Sequence, residues 1–172
     1  MDMSKISAGK DLPHDFNVVI EIPAQSDPVK YEVDKESGAL LVDRFIGTSM
    51  RYPANYGFIP QTLGDDGDPV DVCVITPFPL LAGSVIGMLL MEDESGGDMK
   101  MLAVPVQKLT PRYNKIQTID DVPEDYLAQI RHFFEHYKDL EKGKWAKVSG
   151  WTGPEEACKV IMKGVEAYNN AK

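Results

Sequence analysis

Residues Gly64 to Val74 read Gly-Asp-Asp-Gly-Asp-Pro-Val-Asp-Val-Cys-Val. This stretch restricts what the chain can become more than any other. Four carboxylates, Asp65, Asp66, Asp68 and Asp71, fall within seven positions beside an apolar run. Two carboxylates ~4 Å apart repel by roughly 4 kcal/mol at an effective dielectric of ~20. A folded chain keeps such a cluster only if it is solvated, protonated or neutralised by cations. Val70, Val72 and Val74 alternate with Asp71 and Cys73, so the segment reads as a strand entered from a turn at Asp66-Gly67-Asp68-Pro69. Asp71 then sits inside a strand, where a lone Asp is disfavoured. Hard oxygen ligands converging from a turn and a strand suit Mg²⁺ or Mn²⁺. The plain alternative is a solvated acidic turn, and Asp71 counts against it.

A calcium loop of the EF-hand kind fails on spacing. Counted from Asp66, the fifth position is Val70, the sixth is Asp71 in place of Gly, and the twelfth is Pro77 in place of Glu. With 172 residues the chain has enough length for one domain, 1–172, with a sizeable core. A net charge of −9 argues against a nucleic-acid or anionic-membrane partner, which needs a basic patch. An acidic protein still acts on a phosphate anion if metals and a few local Lys and Arg reverse the field at the site. Cys73 and Cys158 lie far apart with no paired spacing, which predicts a reduced, cytoplasmic chain. Met1 to Ser7 carries no apolar stretch of the signal-peptide kind. Val72 to Met91 holds no charge, but Pro77, Pro79, Gly83 and Gly87 interrupt it, so it reads as strand, turn, strand.

Along the chain, Asn17 to Ile22, Val29 to Val33 and Ala39 to Phe45 alternate as strands. Glu21, Lys30, Glu32 and Arg44 are each a charge inside such a strand. The bland account is the wet face of an antiparallel sheet. Several short strands in succession suggest instead a small closed barrel, with the polar sides converging on its mouth. Tyr52 and Tyr56 flank a Pro-Ala-Asn turn and read, from the residues alone, as core aromatics. Gly87 to Met91 runs into a second acidic turn, Glu92 to Asp98, before the apolar strand Met101 to Val106. Pro123 to Leu140 predicts a helix, with Leu127, Ile130, Phe134 and Tyr137 on one stripe and Glu124 and Asp125 in the first turn. Thr152-Gly-Pro-Glu155 resembles a capping box opening a last helix to about Tyr168.

The run Asp66-Gly-Asp-Pro-Val-Asp71 resembles the signature of the family I soluble inorganic pyrophosphatases, bacterial type. Supporting matches are Ile20-Glu21-Ile22-Pro23, Lys30-Tyr31-Glu32, Val42-Asp43-Arg44-Phe45, Tyr52-Pro53 to Tyr56-Gly57, Asp93-Glu94 to Asp98 with Lys100, and His132 to Lys138. They cover about Gly9 to Trp151. The resemblance implies an OB-fold-type barrel that holds several Mg²⁺ ions and hydrolyses inorganic diphosphate to two orthophosphates. The expected fold is therefore mainly β with flanking helices (α+β): a small closed OB-fold-like five-stranded barrel plus two α-helices.

By the same resemblance, Asp66, Asp71 and Asp98 bind the principal metal pair, with Asp71 bridging, and Asp68 is the general base. Glu21 and Asp93 match ligands of the ions that arrive with substrate, and Glu32 matches a metal-site position held through water. Lys30, Arg44, Lys100, Tyr137 and Lys138 match the phosphate-binding set. Tyr56 matches a residue hydrogen-bonded near the base, and Tyr52 a supporting aromatic. Mn²⁺ or Zn²⁺ are possible substitutes for Mg²⁺. A homohexamer is the assembly the resemblance implies, with His136 and Glu141 as candidate contacts.

Bacterial members carry a short extra run between the counterparts of Ile86 and Gly87, usually with an Arg. Here the chain passes straight on, so a shortened strand is expected. The chemistry fits independently, because diphosphate is attacked by hydroxide only when its charge is neutralised, and two metals both activate water and clamp the reacting groups. Arg and Lys supply the rest as positioning and charge stabilisation. The two rival functions are a two-metal phosphoesterase acting on organic phosphates and an acidic OB-like module that only holds cations.

Overall fold

The computed structural model describes residues 5–79 and 82–171. Its strands are β1 (Gly9–Asp11), β2 (Asp15–Asn17), β3 (Val19–Ile22), β4 (Val29–Val33), β5 (Leu40–Phe45), β6 (Asn55–Phe58), β7 (Asp71–Val74), β8 (Ala82–Asp93), β9 (Gly96–Gly97), β10 (Lys100–Val104) and β11 (Ala146–Thr152). Two helices flank them, α1 (Glu124–His136) and α2 (Pro154–Asn170). The main sheet runs β1-β2-β8-β10-β7-β6-β3, with β9 and β11 also on β8, and it curls into a half-barrel. Strands β4 and β5 pair separately as a ribbon. The mostly-β fold with two helices is the expected one. Among the described residues the main sheet has nine strands where a five-stranded barrel was expected: β1, β2, β6, β9 and β11 were not foreseen as strands, and the expected β4 and β5 pair apart from it.

The centre of the sheet is apolar on both faces. Val72, Val74, Met101 and Ala103 face α2, together with Phe16, Ile59, Ala157 and Ile161. Cys73, Leu102, Val104 and Leu89 face α1, together with Tyr52, Tyr56, Ile130, Phe133 and Phe134. Strands covered on both sides read as near-continuous apolar runs. That is why Val72 to Met91 has the composition of a membrane span. No helix of the described residues is long and apolar enough to cross a membrane. Each fully buried Phe, Ile or Leu contributes about 1.5–3 kcal/mol, and Phe16, Ile59, Leu89 and Ile161 are completely buried.

Strand β8 is the spine. It pairs with β2 at its start, with β10 through Ser84 to Leu89, and with β11 through Met88 to Asp93. Opposite Leu102 and Ala103 the register shifts, and Ile86 is the extra residue between Val85 and Gly87. The strand thus passes through the shortened segment as one unbroken element with a bulge, and a bulge re-aims a strand without ending it. A Cβ on Gly87 would lie 2.3 Å from Ile119 Cγ1 and 2.7 Å from the Thr152 carbonyl, so Ile119 and β11 together leave no room there for a side chain.

Helix α1 begins after Pro123, with Glu124 and Asp125 in its first turn, and ends at His136, earlier than the expected Leu140. The capping box expected at Thr152 does not form. Thr152 is the last residue of β11, and Gly153 caps α2 with no side-chain hydrogen bond, while Pro154 opens the helix. Thr152 pairs with Met88 at the end of β11, and the helix is capped one residue later, at Gly153.

Candidate active site

Strands β7 and β10 run parallel with Met101 opposite Val72. Asp71 and Lys100 each precede that pair by one residue, so both emerge on the same level and the same face. The alternation that sends Val72 and Met101 toward α2 sends Asp71 and Lys100 toward α1. Tyr56, opposite Cys73 on β6, shares that face. The tight β8–β9 turn brings in Asp98, whose N–H donates to the Met91 carbonyl at 2.9 Å. Lys100 Nζ then donates to both Asp71 and Asp98, the latter at 2.5 Å, and lies 3.4 Å from the Tyr56 hydroxyl. Asp71 and Asp98, from separate hairpins, thus meet at one ammonium.

Burial of this group sets its electrostatics. Lys100 is 4% exposed. Desolvation alone would lower its pKa, but Asp71 and Asp98 overturn that and hold it well above the usual lysine value. One ammonium serves two carboxylates, so a buried negative charge is left over. Burial, with Asp98 adding to it, pushes Asp71 above the ordinary carboxylate range despite Lys100. Such a site favours additional positive charge. Among the described residues, no three acidic, His or Cys groups converge closely enough to hold an ion by themselves. The centre of the acidic group is taken by the Lys100 ammonium.

Asp66 and Asp68 lie on the loop before β7. Asp66 Oδ1 accepts from the Asp68 N–H at 3.0 Å, and the Gly64 N–H donates to the Asp68 carbonyl at 2.7 Å. The Asp68 carboxylate accepts from Lys35 Nζ at 2.7 Å, from the turn of the β4–β5 ribbon. Asp66, Asp71 and Asp98 border one cavity of about 70 Å³, closed on the other side by Met101, Val160 and Gly164. A larger cavity of about 750 Å³, lined by Asp15, Ile86, Lys108 and Tyr113 among others, contains none of the expected site residues.

The cationic residues are interleaved with acids. Lys30 on β4 contacts Glu32 and, at 3.1 Å, Asp43. Arg44, opposite Lys30 in the ribbon, donates to Asp43 at 2.9 Å and to Glu141 at 3.0 Å. Lys138 donates to Asp93 at 2.6 Å, and both side chains are nearly buried. Glu21 on β3 is buried, and its Oε1 accepts from the Val33 N–H at 2.7 Å. Burial raises its pKa to about 7, with Asp71 and Glu32 adding to the shift. Tyr137 is buried against Phe133 and Phe134. Burial raises its pKa, and it feels the charges of Lys100, Asp98, Arg44 and Asp71. Tyr52 is 2% exposed and packs on Tyr56, Phe133 and Phe134. It is a core aromatic, whereas Tyr56 is core by its ring and part of the site by its hydroxyl.

Sequence reasoning missed several partners. Asp43 stands in a quoted motif beside Arg44 but had no role, although it sits between the two cations of the ribbon. Glu141, considered only for subunit contacts, pairs with Arg44 across 97 positions of chain. Lys35 and Thr62 carried no signal, because their partners are set by the packing of other elements.

A family model described as inorganic pyrophosphatase matches residues 18–169. An inorganic pyrophosphatase of Ralstonia nicotianae is 62% identical over 98% of this chain and 99% of its own length. One from Bradyrhizobium diazoefficiens is 55% identical over 177 aligned residues, covering all of this chain and 99% of the relative. Since this chain has 172 residues, that relative carries positions with no counterpart here. The structure of an inorganic pyrophosphatase from Coxiella burnetii superposes with a TM-score of 0.90 at 53% identity, covering 95% of this chain and 99% of that one. Likeness of this extent, in both sequence and fold, establishes that the chain belongs to the inorganic pyrophosphatase family.

Proposed function

We propose that this chain hydrolyses inorganic diphosphate to two orthophosphates, with water as nucleophile and divalent cations, Mg²⁺ first among them, held by its acidic residues. One observation carries the reading: Asp71 and Asp98, from separate hairpins, share the buried Lys100 ammonium beside Tyr56. The donor set fits the cations. It is all hard oxygen, it already surrounds a positive charge, and it retains a buried excess of negative charge.

Asp66, Asp71 and Asp98 would hold the principal cations, and Glu21, Glu32 and Asp93 those that come with substrate. What the cations supply, when bound, is an attacking water of lowered pKa and neutralised phosphoryl oxygens. Asp68, whose side chain is largely exposed, takes the proton of the attacking water. Lys30, Arg44, Lys100, Tyr137 and Lys138 bind and orient the oxygens of the diphosphate, and Tyr56 steadies Lys100. Lys30, Arg44, Lys100 and Lys138, the cations of the substrate-binding set, each already pair with an acid. Metal and phosphate binding therefore exchange one set of ion pairs for another, at little net change in buried charge.

The chain works as one domain over 1–172 and needs neither nucleic acid nor membrane, consistent with its net charge of −9. Cytoplasmic location and a homohexamer complete the reading. Exposed Phe45, Phe78 and Leu140 are apolar surface of the kind an assembly covers. The test is colorimetric phosphate release from diphosphate and from organic phosphoesters, with and without Mg²⁺. Mg²⁺-dependent release from diphosphate alone is expected. Comparable rates on the esters would favour a general phosphoesterase, and no release at all would leave only a cation-holding module.

A further inference from the structure

The loop that carries Asp66 and Asp68 stands on a neck, and two residues outside the acidic motif hold that neck. Thr62 is 1% exposed. Its hydroxyl donates to the Ile59 carbonyl at 2.6 Å and accepts from the Val70 N–H at 2.9 Å. The Ile59 N–H donates in turn to the Val70 carbonyl at 2.9 Å. The last paired residues of β6 and β7 are Phe58 and Asp71. These bonds therefore lie one step beyond the ladder, and the Thr62 hydroxyl stands in for the backbone partner that the departing chain no longer supplies.

The second clamp comes from α2. The Leu63 N–H donates to the carbonyl of Gly164 at 2.9 Å. A Cβ on Gly164 would lie 2.8 Å from Val70 Cγ2 and 3.3 Å from Thr62 Cβ. A glycine inside a long helix weakens the helix, and here its bareness lets the neck lie directly on the helix backbone. Val70 is followed at once by Asp71. Gly64, Val70 and Gly164 border the same cavity as Asp66, Asp71 and Asp98. The carboxylates above the neck repel one another, so a neck free to widen would spread them.

We propose that Thr62 and Gly164 are positioning residues that fix Asp66 in reach of Asp71, so that the two bind divalent cations together. This rests on the cation reading given above. Changing either residue weakens cation binding without touching any acidic group.

The experiment is Mn²⁺ binding followed by electron paramagnetic resonance in the absence of substrate, on the wild type, Thr62→Val, Thr62→Ser and Gly164→Ala. Circular dichroism and urea midpoints are recorded alongside. Thr62→Val is expected to bind Mn²⁺ about tenfold more weakly, with Thr62→Ser restoring binding to near the wild-type value. Gly164→Ala is expected to lose affinity although alanine is the better helix former, a result that helix stability alone would not give. Wild-type affinity in folded Thr62→Val or in Gly164→Ala would overturn the proposal. If Thr62→Val fails to fold, Gly164→Ala decides. A wild type that binds no Mn²⁺ would overturn the cation reading itself, and is distinguished from the other outcomes by the wild-type titration.

Discussion

Asp68 and Glu21 are both acids of the proposed site, yet their surroundings give them opposite behaviour. Asp68 is largely exposed, and its ion pair with Lys35 lies in water, where such pairs contribute little. Asp68→Asn is therefore expected to leave the urea midpoint nearly unchanged and to lower phosphate release by about 10²–10⁴-fold, the usual worth of a general base. Release near the wild-type rate would remove Asp68 from the base role. Glu21 is buried, and burial lifts its pKa from 4.5 to about 7. Below pH 4.5 it is neutral in both folded and unfolded chains. Between 4.5 and 7 the unfolded chain ionises while the folded chain keeps the proton, so stability falls as pH rises through this window. The fall is on the order of 3 kcal/mol. Urea unfolding of chelator-treated protein at several pH values checks it, and Glu21→Gln is expected to flatten the slope. Both residues were legible in the sequence by type and motif. Their difference was not, because exposure comes from what packs around them.

At the scale of elements, close strand contact is what places the site. Gly57 on β6 sits where a Cβ would lie 1.8 Å from the Val19 carbonyl and 2.9 Å from Ile20 Cα on β3. Gly57→Ala must separate β6 from β3, and with it shift Tyr56 and Glu21, which those strands carry. A loss of about 1–3 kcal/mol is expected from the overpacking. It is measurable as a lower urea midpoint with unchanged m-value, alongside reduced activity. The alternating strands, the two helices and the acidic turns were readable because apolar spacing follows from the geometry of each element. Strand β11 was not. Ala146 to Thr152 has only Ala146, Val148 and Trp151 as apolar signal, and it becomes a strand because β8 offers it an open edge. The capping box at Thr152 failed for the same reason. Sheet pairing claimed the residue first, and tertiary contact overrides a local signal.

For the molecule as a whole, the chain carries net charge −9 and concentrates acids at one place. Cations that bind only the folded form stabilise it by mass action, by about 2.7 kcal/mol at a hundredfold excess over the dissociation constant. Thermal unfolding with Mg²⁺ is expected to occur several degrees higher than with chelator, and Mg²⁺ with a non-hydrolysed diphosphate analogue higher still. An unfolding temperature indifferent to both would contradict the cation site. The sequence by itself determined the chemistry: which acids and bases exist, their local spacing, and the apolar periodicity that makes strands and helices. Those properties depend only on neighbours along the chain. The tertiary structure alone decided which charges share a cavity, that Lys100 sits between Asp71 and Asp98, that Arg44 is held by Glu141, and that Thr62 and Gly164 close the loop. The contacts of Lys100 with Asp71, of Arg44 with Glu141 and of Leu63 with Gly164 join residues tens of positions apart. They are fixed by strand register and by the packing of helices on both faces of one curled sheet, which no local pattern encodes.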